Sequence, residues 1–274
     1  MKFRLLVTLL IFTISIKAQN FTGKAVYKTS RKTNIKIGGD NSNMSDKMQK
    51  QIQDRIRKMS QKTFVLEFDK STSVYKEDVK LNAPKPAVGG VSVMTFSSGG
   101  IGGTYYKNLK EKRFANKTEI MGKPFLVKDS LSNYNWELTS ETKNIGNYTC
   151  YKATFTREVE IINMSLVNDE PKEIAEKKTV VTTAWYTTQV PISNGPSDYQ
   201  GLPGLILEIN DGKTIIVCTE IILNPSEEIK IIEPKKGKVV TQAKYEKISE
   251  EKAKEMMERF KSKNGNGMEI RIGG

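Results

Sequence analysis

The sequence predicts a mainly β fold: an antiparallel sheet, curved into an open or partial barrel, with one or two amphipathic helices packed on it. Three observations predict this. Short apolar/polar alternations recur along the chain, as where Phe64, Leu66 and Phe68 alternate with Thr63, Val65, Glu67 and Asp69. Turn residues punctuate them at Asp129-Ser130, Ser132-Asn133, Gly146-Asn147 and Asp211-Gly212. Helical spacing of apolar residues is confined to two segments.

Taken in order, Gly23 to Thr29 alternates and reads as a first strand, broken at Gly38-Gly39-Asp40-Asn41. Met44, Met48, Ile52, Ile56 and Met59 then fall on one narrow helical stripe, suited to lying on a sheet. Thr63 to Asp69 is a strand, and Ser73 to Lys76 can pair with it. Residues 82–103 carry Pro84-Lys85-Pro86 and six glycines, at 89, 90, 99, 100, 102 and 103, and read as a mobile insertion or hairpin tip. No Gly-Lys-Ser/Thr accompanies those glycines, so a phosphate cradle is not indicated. Tyr105 to Asn108, Phe125 to Val127, Trp136 to Leu138 and Thr149 to Val159 supply further strands, the last with Tyr151, Ala153 and Phe155 on one side. Glu170 to Glu173 is expected to tip a hairpin that returns through Lys178 to Thr187. A second helix is expected over Ser249 to Lys261, with Ser249 as cap, Glu250 and Glu251 in the first turn, and Met256, Met257 and Phe260 as its apolar side. Residues 20–263 read as a single domain, followed by a flexible tail over 264–274.

The first residues carry an address. Met1-Lys2-Phe3-Arg4 is positive, Leu5 to Ile16 is apolar but for Thr8, Thr13 and Ser15, and Lys17-Ala18-Gln19 leads into polar sequence. These are the three parts of a secretory signal peptide over 1–19, cut near Ala18-Gln19. The apolar run is shorter than the ~20 residues a bilayer-spanning helix needs. The expected location is periplasmic or secreted. The formal charge of +13 falls to +10 without Lys2, Arg4 and Lys17. Such a balance attracts anionic partners, but the lysines are scattered apart from Lys235-Lys236-Gly237-Lys238, so solubility is the preferred reading and no nucleic-acid partner is expected.

The chain of 274 residues contains no histidine and two cysteines, Cys150 and Cys218. Without an imidazole there is no Ser-His-Asp or Cys-His catalysis and no His-ligated zinc. Neither a metal nor another cofactor is expected. The cysteines read either as a disulfide in an oxidising compartment or as two small buried hydrophobes.

The most distinctive stretch is residues 184–212. Trp185 and Tyr186 end a strand, and Pro191 and Gly195-Pro196 stiffen the connection that follows. Leu202-Pro203-Gly204-Leu205 has the composition of a type II turn, with Gly204 at φ above zero. Leu205 to Ile209 leaves as a strand towards the turn at Asp211-Gly212. If these are the two turn residues, Asn210 faces Lys213, Leu207 faces Ile216 and Leu205 faces Cys218. Leu205, Leu207, Ile209 and Cys218 would then share a buried face, with Glu208 on the other beside Ile215.

Gly201-Leu202-Pro203-Gly204-Leu205-Ile206 resembles the signature of the GLPGLI family, exported proteins of Gram-negative bacteria with no established activity. The Trp-Tyr-Thr at 185–187, Pro191, Gly195-Pro196, Tyr199, Leu207-Glu208 and the upstream run Asn144 to Ala153 are similar to the same pattern, which spans roughly 105–223. The resemblance implies export and a shared β-rich fold, and brings no reaction with it.

Three functional readings follow. A non-enzymatic binding or carrier protein of the cell envelope would place Trp185, Tyr186, Tyr199, Leu202, Pro203 and Leu205 at the mouth of a groove for an apolar or amphipathic ligand such as a lipid. An accessory subunit would offer a sheet edge to an outer-membrane protein partner. A hydrolase would pair acids such as Asp198, Glu208 and Asp211, but no motif joins them.

Overall fold

The structure, a computed structural model, describes residues 21–31, 61–79, 103–167 and 170–263. The expected signal peptide, the helix expected over 44–59, the expected insertion up to 102 and the expected tail from 264 lie outside the described residues. Twelve strands and one helix are described. In chain order they are β1 Gly23–Arg31, β2 Lys62–Phe68, β3 Thr72–Glu77, β4 Thr104–Asn108, β5 Arg113–Ile120, β6 Lys123–Ser130, β7 Glu137–Ile145, β8 Tyr148–Val167, β9 Glu170–Thr187, β10 Leu205–Asn210, β11 Thr214–Leu223, β12 Lys238–Val240 and α1 Gln242–Lys263.

All twelve strands join one sheet in the order β12-β6-β5-β4-β3-β2-β1-β11-β10-β9-β8-β7. The pairing is antiparallel throughout except between β12 and β6, which run parallel. The sheet is open, since β12 and β7 stand at its two ends.

Directly paired residues point to the same face, so the registers trace rows across the sheet. One row runs Ala25, Leu66, Tyr75, Tyr105, Asn116, Val127, Val240, and the next runs Gly23, Phe68, Ser73, Lys107, Phe114, Asp129. Nearly all of these are buried, which identifies the inner face. Over β5, β6 and β12 that face is covered by α1, whose Tyr245 packs edge-on against Phe125 and meets the Thr118 hydroxyl. Over β1, β2 and β8 to β11 it is covered by residues 188–204, the strap between β9 and β10. On the opposite face Val74, Tyr106, Ala115 and Leu126 form a smaller cluster. The segment between β11 and β12 crosses it, with Ile231 on the cluster and Glu233 paired to Arg113 and Lys128.

Several expectations change. β5 carries a weak alternation in sequence and is held by its neighbours β4 and β6 on either side. Asp129-Ser130 is not a turn but the end of β6. Glu170 to Glu173 does not tip the hairpin: these residues belong to β9, and Val167 pairs with Glu170. The helix starts seven residues early, at Gln242. Thr241 Oγ1 accepts the Lys244 N–H, and Asp129 Oδ2 accepts the Gln242 N–H, so the cap is assembled from β6 as well as from the chain's own start. Ser249, Glu250 and Glu251 consequently lie within the helix.

The hairpin after β10 pairs Asn210 with Ile215, Ile209 with Ile216 and Glu208 with Val217. Its register is displaced by two residues from the expected one, because Asp211 folds its carboxylate onto the Lys213 and Thr214 N–H groups and lengthens the loop. A displacement of two leaves faces unchanged. Leu205, Leu207, Ile209, Ile216 and Cys218 are all buried in one core cluster, although a register shift between Ile206 and Glu208 interrupts the alternation along β10 and pairs Leu205 with Thr187.

Candidate ligand-binding site beneath the strap

The strap crosses the inner face without forming a strand of its own, so its backbone groups need partners from elsewhere. Two are supplied by its own ends: the Leu205 N–H donates to Val190 O and the Ile206 N–H to Asn194 O. Short-range turns satisfy others, with the Tyr199 N–H on Pro196 O and the Ile192 N–H on Val190 O, and side chains from outside the strap supply further partners. Lys107 of β4 donates from Nζ to Gly195 O at 2.7 Å and to Tyr199 O at 3.0 Å. Trp136 donates from Nε1 to Gln200 O at 2.9 Å, and Gln200 Nε2 donates to Ser132 O at 2.7 Å. Val190, Ile192 and Leu202 press the strap into the core.

Two glycines permit the close approach. A Cβ on Gly204 would sit 2.1 Å from the Thr187 carbonyl oxygen, and one on Gly195 would sit 2.8 Å from Ile206 Cβ. Gly204 does not have the positive φ expected of it; in this loop it is Gly201 that has, at 97°. The Leu-Pro-Gly-Leu composition matches a type II turn, but the chain instead closes more tightly, with the Gly204 N–H donating to Leu202 O at 2.8 Å.

Tyr134, Trp136, Phe155 and Tyr199 stand together at one end of the strap, with ring centroids between 5.3 and 6.5 Å apart. The Tyr134 hydroxyl donates to Asp198 Oδ2 at 2.6 Å. Burial, followed by the Asp198 charge, raises the Tyr134 phenol above its ordinary range, and Tyr105 and Tyr199 are raised for the same two reasons. Lys107 is fully buried. Burial pulls its ammonium down to about 7, while Asp198 acts to raise it. Tyr134→Phe should destabilise the protein by about 2 kcal/mol, the loss of a hydrogen bond to a charged acceptor. Urea unfolding of the variant tests this, and an unchanged midpoint would show that Asp198 is held by other groups.

Around Lys107 the inner face carries polar atoms with no hydrogen-bond partner among the described residues. They include Ser73 Oγ, directly across the β3–β4 pair from Lys107, Tyr75 OH, across from Tyr105, and Asn194 Nδ2 on the strap.

The residues that sequence pointed to are divided by the fold. Leu202, Leu205 and Tyr186 are buried in the core, and Tyr199 joins the aromatic group. Pro203 is exposed. Trp185 points to the opposite face, where Lys143 Nζ lies 4.4 Å above its ring and pairs with Glu208 at 2.7 Å. Asp198 meets Tyr134, Glu208 meets Lys143 and Asp211 closes its own turn, so the three acids do not converge. Cys150 and Cys218 are free thiols in one core cluster, and burial raises them to about 11 and about 12. Among the described residues no cluster of three or more metal-ligating side chains occurs. Sequence reasoning missed Lys107 and Ser73. The available signal was phase: Lys107 shares the face of Tyr105, although only the neighbouring strands and the strap make that face an interior.

A family model described as a protein of unknown function (Porph_ging) matches residues 136–208, a stretch containing β7, β8, β9, the strap and part of β10. No curated protein matches the chain. Among solved structures the chain is similar to PNGF-II in two crystal forms. The C2 form has 14% identity and a TM-score of 0.48, with 85% of this chain and 33% of that chain covered. The P21 form has 15% identity and a TM-score of 0.48, with 84% and 34% covered. The chain thus spans about a third of the length of those proteins.

Proposed function

We propose that the protein is an exported, non-catalytic binding protein of the bacterial cell envelope, of the GLPGLI type, that carries an apolar or amphipathic ligand beneath the strap. The observation that carries this reading is the way the strap is held. Besides the backbone bonds near its two ends, it is tied to the sheet and its surroundings by side-chain-to-backbone hydrogen bonds from Lys107 and Trp136, which a ligand can replace one for one. Beneath them lies a face that is apolar along most of its rows and polar at Ser73, Tyr75 and Lys107. A ligand with a hydrocarbon chain would gain ~0.8 kcal/mol per buried methylene. The unknown-function family match supports the reading in that it spans the strap, and the signal-peptide pattern supports export.

Two measurements test it. Intact mass of the mature protein should place its first residue at Gln19 or Asn20; an unprocessed chain would defeat export. Native mass spectrometry of protein purified without detergent should show a bound species of lipid mass, and a displaceable fluorescent fatty acid should bind at micromolar concentration. Absence of both defeats the carrier reading. A co-purifying outer-membrane protein would instead favour the accessory-subunit reading, which rests on β7: among the described strands it pairs with β8 alone, leaving its outer edge open.

A further inference from the structure

We infer that Lys107, Ser73 and Asn194 form a binding site for the carboxylate head group of an amphipathic ligand; this rests on the carrier reading and gives that site its chemistry. The argument is one of donors without acceptors. An ammonium has three N–H donors, and Lys107 uses two, on Gly195 O and Tyr199 O. Ser73 Oγ is fully buried and without a partner among the described residues, on the strand position paired with Lys107. Paired positions hold their Cβ atoms about 5 Å apart and on one face, so both side chains rise from neighbouring strands towards the strap. Asn194 is fully buried one residue from Gly195, its Oδ1 accepting the Gly195 N–H and its Nδ2 unpartnered. Tyr75 OH adds a further unpartnered hydroxyl two residues along β3. Buried polar groups in folded proteins are almost always matched, and a group that answers several donors at once must bring several lone pairs.

A carboxylate does so: its two oxygens offer about four acceptor positions and a full charge opposite the ammonium. Asp198, the carboxylate whose charge reaches Lys107, is occupied by the Tyr134 hydroxyl at 2.6 Å, and Lys107 forms no ion pair with it. Entry requires the strap to lift, because Lys107 is fully buried. Lifting releases Gly195 O and Tyr199 O from Nζ, and the incoming carboxylate takes their place on the same N–H groups. The chain of the ligand then lies over the inner-face residues of β2, Leu66 and Phe68.

Calorimetric titration of the whole mature protein with sodium dodecanoate, dodecan-1-ol and sodium acetate tests this. The expected result is dodecanoate binding at least tenfold tighter than dodecanol, with Ser73→Ala weakening dodecanoate about fivefold and leaving dodecanol unchanged. Ser73→Ala removes only an unpartnered hydroxyl, so the variant should fold, and Lys107→Met should abolish the discrimination between acid and alcohol. Equal binding of dodecanoate and dodecanol would overturn the head-group site, leaving ordered water as the partner of these donors, and would keep the carrier. Acetate binding as tightly as dodecanoate would keep the anion site and overturn the carrier. Silence from all three ligands would overturn both. Dodecanoate binding that Ser73→Ala and Lys107→Met leave unchanged would place the head group elsewhere.

Discussion

Gly204→Val should lower the melting temperature more than any other single glycine substitution in the strap. The added Cβ would lie 2.1 Å from the Thr187 carbonyl oxygen and 2.6 Å from its carbon, and both are backbone atoms at the end of β9. Neither can move without disturbing the pairing of Thr187 with Leu205, the first pair of the β9–β10 ladder. Overpacking of this kind costs on the order of 3 kcal/mol or more, roughly 6–12 °C for a chain of this size. Gly212→Ala is the control. Gly212 has a positive φ of 86° with nothing within 4 Å of the added Cβ, so strain alone acts and the loss should be near ~1 kcal/mol. Thermal melts of the two variants separate close approach from backbone conformation. If Gly212→Ala proves the more damaging, the strap does not seat on β9 as described.

The second large effect is a dependence of stability on pH carried by Lys107. Its native ammonium titrates at about 7, whereas a lysine in an unfolded chain titrates near ~10.4. Between those values the unfolded chain keeps a proton that the native chain has released, so stability rises with pH. From pH 7 to pH 9 the gain is about 2 kcal/mol, and below about pH 6 the contribution is flat because both states are protonated. The buried thiols act in the opposite sense above about pH 8, since unfolded cysteines release protons that native Cys150 and Cys218 hold. The measurement is therefore the difference between the wild type and Lys107→Met, in urea unfolding at pH 7 and at pH 9. The wild type should gain relative to the variant by that amount. Parallel behaviour of the two proteins would mean that Gly195 O, Tyr199 O and Asp198 keep the native amine charged throughout.

Some of this was legible in the residues. The alternation of β1, β2, β4, β6, β8, β10 and β11 is a local property of the pleat, and any sheet that buries Phe64, Leu66 and Phe68 must present them on one face. The same parity placed Ile209 and Cys218 inside, and it survived a two-residue error in register because side chains repeat every two residues. β5 was not legible, because Arg113 to Ile120 owes its extended form to β4 and β6. The start of α1 was missed because half of its cap, Asp129, lies 113 residues away.

By itself, then, the sequence determined a β-rich chain without imidazole chemistry, the alternating faces of its strands, and the segment 184–212 as the part most particular to it. Those are properties of composition and of neighbours along the chain. Tertiary structure decided what that segment does: it is a strap laid over the inner face, close enough that Gly204 and Gly195 admit no side chain. It decided that Trp185 faces away from the strap while Leu202 and Leu205 are buried in the core. It also decided that an ordinary-looking lysine in Thr104 to Asn108 is an interior one. Burial is a property of what lies on top of a residue, and here the covering residues, Gly195 and Tyr199, are 88 and 92 positions away from Lys107.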